Sequence, residues 1–200
     1  MPSTTPVRDV MTTAVATLRP DQPIAEAADA LAEGRYGAMP VVDADALTVL
    51  ADDESPLAAR ARGDDGARAV LTPHDGEFAR LAGRAPGEDR ATAAWELATR
   101  LHAVVLLKGP STVVADPDGR VAINPTGSPA LATAGTGDVL TGIIAALLAR
   151  GAPPFEAAAA GAYLHGLAAD VAGTAPGLVA GDVVDALPRT LRVLTDPNED

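Results

Sequence analysis

The sequence predicts an α/β fold, a mainly parallel sheet flanked by helices. Three observations carry the prediction. AVVLLKG (103–109) is an unbroken apolar run of strand length, as expected of a central parallel strand covered on both faces. Strand-like runs alternate along the chain with segments of helical period, the pattern of crossover-connected units. The glycine-rich ATAGTGD (132–138) opens directly into the apolar VLTGIIAALLARG (139–151), a loop-to-helix junction suited to holding an anion.

In chain order, VATL (15–18) reads as a strand and PIAEAADALAEG (23–34) as a helix, with Ile24, Ala27, Ala28, Leu31 and Ala32 on one face and Gly34 as its stop. MPVVDAD (39–45) is a strand ending in carboxylates, followed by a helix or loop around Leu47–Leu50. The acidic, Arg/Gly-rich stretch 52–68 is a surface excursion. ARAVLTPH (67–74) is a buried strand; 75–81 and 89–101 are helices, the second with Ala93, Leu97 and Leu101 on one face. STVVADPDGRVAIN (111–124) is a hairpin turning at Asp118-Gly119. After 139–151 come an Ala/Gly-rich helix over 155–172 and a last helix over 182–194 capped by Asp182. The tail from 195 is frayed.

Composition narrows the function classes. The chain has 200 residues, 48% hydrophobic and 21% charged, ordinary for a globular protein. Aromatics are only 2%, so the core rests on Ala, Val and Leu at close approach. A net charge of −12 opposes binding to nucleic acid, which needs Lys and Arg against phosphates. There is no cysteine, which excludes disulfides, thiolate metal sites and Cys nucleophiles. No apolar run is long enough to span a membrane and no signal core opens the chain, so the expectation is a cytoplasmic protein.

The sharpest chemical feature is the junction at 135–138. Gly135 and Gly137 allow a tight turn with bare N–H groups, and the helix behind them adds its positive end. Asp138 would sit in the first turn, placed to take a proton from an attacking hydroxyl; it reads equally as a helix cap. Lys108 is the only lysine of an acidic chain and ends a buried strand; it reads as a phosphate-facing charge or a solvated strand end. His74 reads locally as a packed turn residue and Glu77 as a first-turn helix acid. Asp43 and Asp45 line a cleft at a strand end or cap the next helix.

Four ordered segments resemble the NAD(P)H-hydrate dehydratases, members of the ribokinase-like superfamily: VVDADAL (41–47), LTPHDGEFARL (71–81), VVLLKGPSTVVADPDG (104–119) and PTGSPALATAGTGDVLTGIIAALLARG (125–151). The second departs from the family pattern, with Asp75 where proline is usual. The resemblance implies a ribokinase-like fold over 40–194 and ADP-dependent dehydration of NADHX or NADPHX to NADH or NADPH, with release of AMP and phosphate. It implies ADP, or ATP in its place, together with Mg²⁺. Carried over by position, Asp138 is the general base and contacts the hydrate with His74. Lys108, Gly109, Pro110, Ser111 and Thr112 hold the nucleotide. Gly135, Thr136 and Gly137 form the anion hole, and Glu77 reaches Mg²⁺ through water.

The family carries a further half-domain before the VVDADAL strand, and residues 1–39 do not resemble it. Instead VRDVMTTAVATLRPDQPIAEAADALAEGRYGAMPVVD (7–43) resembles the first part of a CBS module, and PVVD (40–43) belongs to both patterns. The expectation is a ribokinase-like sheet with its N-terminal half missing, a hydrophobic edge exposed and a homo-oligomer covering it. Two other functions stay open beside the dehydratase. One is a ribokinase-like small-molecule kinase; the other is an adenine-nucleotide-binding fragment without turnover.

Overall fold

The computed structural model describes residues 41–52, 69–173 and 177–195. The unit read over 7–39, most of the 52–68 stretch and the tail from 196 lie outside the described residues. Five strands form one sheet in the order β1 (Val41–Val42), β2 (Val70–Leu71), β3 (Val104–Leu107), β4 (Val113–Ala115) and β5 (Val121–Ile123). β1, β2 and β3 run parallel, with Val41 opposite Val70 and Val70 opposite Val104. β4 and β5 return antiparallel, Leu106 facing Val114 and Val114 facing Ala122.

The period of two along the strands divides the core. Val105 and Leu107 of β3 point to one face, where they meet helices α1 (Asp45–Asp52), α2 (Asp75–Ala82) and α3 (Arg90–Leu101) through Leu47, Phe78, Leu81, Ala94 and Leu97. Val104 and Leu106 point to the other, against α4 (Thr136–Ala149) and α5 (Pro154–Ala172) through Leu140, Ile144, Ala158 and Ala162. All four β3 residues are buried, which accounts for the unbroken apolar run. A third cluster joins α5 to α6 (Ala180–Thr195) through Ala168, Ala169, Val183 and Ala186.

Helix ends follow local chemistry. His74 caps α2: its Nδ1 accepts from the amides of Gly76 and Glu77, while the Glu77 carboxylate accepts the His74 amide, a reciprocal capping box. Gly83 ends α2 at φ 72°. Asp89 caps α3 through the Thr92 amide. In α6, Asp182 lies inside the first turn and accepts the amide of Val179, so it reaches back to the helix start rather than preceding it. In the hairpin, the fully buried Asp116 accepts from the Asp118 and Arg120 amides and from the Arg120 guanidinium, closing the turn at 117–119.

The strands read over 39–45 and 67–74 are shorter, two paired residues each. Asp45 begins α1, and Thr72 and Pro73 already belong to the loop that leads to the α2 cap. The helix read from 139 starts at Thr136, placing Asp138 in its third position.

Helix α5 packs with almost no side chain between backbones. A Cβ on Gly161 would lie 2.6 Å from Ile144 Cγ1, and one on Gly166 would lie 2.3 Å from Thr126 Oγ1 and 2.7 Å from the Gly127 amide nitrogen. Thr126 in turn donates to the Tyr163 carbonyl, tying the 125–128 loop onto α5. Gly166→Ala is expected to lose about 1–3 kcal/mol by overpacking against loop backbone. Gly142→Ala, where a Cβ meets nothing within 4 Å, is expected to be neutral or to gain up to about 1 kcal/mol from helix propensity. Urea denaturation of the two variants beside wild type checks both.

Candidate active site

The parallel strands end on one rim of the sheet, where α/β proteins bind ligands. Three loops meet there. The β3 exit is bonded to the β2 exit through the Lys108 amide and the Pro73 carbonyl, 2.8 Å apart. This brings the His74–Glu77 cap beside Lys108. From the end of β1, Asp43 reaches the same point: its Oδ1 accepts from Lys108 Nζ at 2.8 Å and its Oδ2 from the Thr141 hydroxyl of α4 at 3.1 Å. Glu77 Oε2 is 3.8 Å from Lys108 Nζ.

The fourth wall is the start of α4. Gly135 sits at φ 86°, a left-handed backbone that glycine adopts without strain, and no side chain caps the helix. The Thr136 amide bonds the Thr133 carbonyl at 3.5 Å, and the next amides, of Gly137 and Asp138, are left to solvent or to a ligand, unlike the side-chain-capped starts of α2 and α3. A Cβ on Gly137 would lie 3.6 Å from Lys108 Nζ and 3.7 Å from Asp43 Oδ2. The ammonium and the helix start thus face one small space. Asp138, next in the chain, is exposed.

Burial alone would raise the Asp43 carboxyl. The hydrogen bond and charge of Lys108, with hydrogen bonds from Thr72 and the Ala44 amide, outweigh it and hold the carboxyl below the usual range. Asp43 is ionised, and it spends its charge on Lys108 and Thr141 rather than on a helix cap.

The other sequence candidates fall around this point. His74 is exposed, and its Nδ1 is an acceptor, which leaves the proton on Nε2. The Glu77 side chain is 9% exposed, with one oxygen on the His74 amide and the other 3.4 Å from His74 Nε2. Gly109, Pro110 and Ser111 form an exposed turn, and Thr112 leads into β4, its carbonyl accepting from Asn124. Thr136 is buried and its hydroxyl donates to the carbonyls of Leu131 and Thr133, so only its backbone borders the site.

Two residues were not singled out by sequence reading. Arg90, at the start of α3, donates to the Lys108 carbonyl at 2.9 Å and to Asp75 at 2.8 Å, and its guanidinium lies where a Cβ on Gly109 would fall, 2.3 Å away. The Arg90 guanidinium thus fills the space above Gly109, and the Asp75 that departs from the family pattern is the partner of Arg90. His165 of α5 is buried and hydrogen bonds the Thr136 backbone beneath the glycine-rich loop, while its Nε2 finds no partner among the described residues.

Burial pushes the His165 imidazole below its ordinary range, opposed in part by the Thr136 contact. The folded protein holds it neutral. Below about pH 6.5 the unfolded chain takes up a proton that the fold refuses until a lower pH. Stability is then present in full above that value and falls as the pH drops toward the lowered one. Urea midpoints measured between pH 7.5 and 5.5 are expected to fall less steeply in His165→Gln than in wild type.

The family profile described as NAD(P)H-hydrate dehydratase matches residues 20–189. The bifunctional NAD(P)H-hydrate repair enzyme of Moorella thermoacetica is 53% identical over 165 residues, which are 80% of this chain and 30% of that one. The ADP-dependent (S)-NAD(P)H-hydrate dehydratase of Neisseria meningitidis is 48% identical over 153 residues, 73% of this chain and 51% of that one. Among solved structures, the Bacillus subtilis ADP/ATP-dependent NAD(P)H-hydrate dehydratase co-crystallised with ATP/Mg²⁺ superposes with a TM-score of 0.60 and 42% identity, over 62% of this chain and 47% of that one. A ribokinase-like superfamily protein of Enterococcus faecalis gives 0.62 at 28% identity, over 77% of this chain and 52% of that one. The chain spans about half of the Neisseria enzyme and under a third of the bifunctional one. On the length of the profile match and the identity of the relatives, this chain belongs to the NAD(P)H-hydrate dehydratase family and has its ribokinase-like fold.

Proposed function

We propose that the chain acts as an ADP-dependent dehydratase of (6S)-NADHX and NADPHX, returning NADH and NADPH with AMP and phosphate. The observation that carries this reading is the convergence of the lone Lys108 ammonium on the uncapped start of α4. A cation and helix amides facing one space suit an anionic group such as a terminal phosphate. The ADP-dependent enzyme named among the relatives supplies the nucleotide.

In this reading the 108–112 turn holds ADP, with Lys108 on its terminal phosphate and the amides around Gly137 on the phosphoryl oxygens. The hydrate lies on the solvent side, between His74 and Asp138. Its ring hydroxyl attacks the β-phosphorus, Asp138 accepts the hydroxyl proton, and the bond to AMP breaks. The ring then expels phosphate with the electrons of its neighbouring nitrogen and loses a proton, which restores the dihydropyridine. Water has in effect been moved from the hydrate onto ADP. Asp138 suits this work because it is exposed beside the phosphate position. Asp43 does not, because its carboxylate is already engaged by Lys108 and Thr141.

Among the described residues no group of three or more His, Asp or Glu side chains is gathered to hold a metal. Mg²⁺ would enter with the nucleotide phosphates, and Glu77 would be the residue to hold it, through water. Bound there, it would neutralise the phosphate charge.

The test is the return of NADH absorbance when the chain is mixed with NADHX, ADP and Mg²⁺. Wild type is expected to turn over and Asp138→Ala to fall by about 10²-fold or more. Binding of ADP with no turnover by wild type would replace this reading with that of an adenine-nucleotide-binding fragment. ATP-driven phosphorylation of an added alcohol would replace it with a kinase.

A further inference from the structure

Segments distant in the sequence converge on one carboxylate. Asp43 leaves the end of β1 and meets Lys108, 65 residues on, and Thr141, 98 residues on. Its side chain is 12% exposed and that of Lys108 22%, so the pair is shielded but still reaches solvent. The pair lies against the first turn of α4, where a Cβ on Gly137 would touch both partners. The alternative carboxylate, Glu77, lies 3.8 Å from the ammonium and is already occupied by the His74 amide.

A lysine ammonium is a point charge on a flexible stem with no direction of its own. Something must aim it. The geometry points to Asp43 as the positioning residue of Lys108: its carboxylate, locked by the Thr141 hydroxyl, holds the ammonium at the start of α4 instead of over Glu77. It thereby sets where the terminal phosphate of ADP is received. The inference rests on the nucleotide-binding reading of Lys108. Asp43 acts through Lys108 and touches no reacting atom. Thr141 acts one step further back, by fixing the rotamer of the carboxylate.

Lys108 is the only lysine in the chain. Protein grown with ¹³C-lysine therefore gives one ε-methylene signal, a direct report on this ammonium. In wild type that signal is expected to stand away from the free-lysine position and to move when ADP is added. In Asp43→Asn, which keeps shape and removes charge, it is expected to collapse toward the free-lysine position, and ADP affinity by calorimetry to fall about tenfold. Thr141→Val is expected to change both in the same direction by a smaller factor, about two- to fivefold in affinity. If Asp43→Asn does not fold, Thr141→Val carries the test alone. An unmoved signal with unchanged affinity, in whichever variant folds, overturns the positioning role. Lys108→Met separates this from the reading beneath it. If Lys108→Met binds ADP as wild type does, the nucleotide reading itself falls. If Lys108→Met loses ADP and the Asp43 and Thr141 variants do not, only the positioning role falls.

Discussion

An ammonium at the end of a sheet covered on both faces must find a partner, and the architecture of this site follows from where it finds one. Lys108 emerges from β3, whose four residues are buried on both sides. The carboxylate that meets it comes from β1, at the far side of β2 in the sheet. That same carboxylate binds α4 through Thr141. One ion pair therefore ties β1, the central strand β3 and the helix that follows the glycine-rich turn. Because the pair is partly buried, losing Lys108 would leave the Asp43 carboxylate without its charge partner, a larger effect than the pair's own net contribution, whereas losing Asp43 would leave the ammonium with Glu77 at 3.8 Å. The ends of β1, β3 and α4 are thus coupled by electrostatics rather than by apolar burial alone.

The second constraint is close packing without large side chains. Glycines 161 and 166 let α5 approach α4 and the 125–128 loop at distances a Cβ would not permit. His165 sits between them and bonds the Thr136 backbone from below. The glycine-rich loop is therefore supported from below by α5, while Gly135 and Asp138 are exposed. The same economy appears at Gly109, which leaves room for Arg90 to hold the Lys108 carbonyl and Asp75. A chain with 2% aromatic residues builds rigidity from backbone contact and polar ties.

Legibility in the sequence tracked the range of the interaction. β3 was visible because burial on both faces makes an unbroken apolar run, and α4 because glycines and an apolar stripe adjoin. β1 and β2 were read too long. Their flanking residues look extended in composition, yet Asp45 starts a helix and Thr72 and Pro73 run out to a cap. The start of α4 was read three residues late because Gly135, in a left-handed conformation, caps a helix that already includes Thr136 and Gly137. The Lys108 pairing was not legible at all. Asp43 was left between cleft and cap, and nothing local distinguishes an aspartate that caps its own helix from one that reaches a lysine 65 residues away. Arg90 and His165 escaped for the same reason, since their partners are Lys108, Asp75 and Thr136.

The central claim is that Lys108 and the uncapped start of α4 form a receptor for the terminal phosphate of ADP. Calorimetric titration of the chain with ADP and with AMP, each with Mg²⁺, tests it most directly, because the two ligands differ by that phosphate alone. The account predicts that ADP binds about tenfold or more tightly than AMP, a difference of about 1.4 kcal/mol or more, and that Lys108→Met abolishes the difference. Equal affinity for the two ligands in wild type, or a preference that survives Lys108→Met, would contradict it.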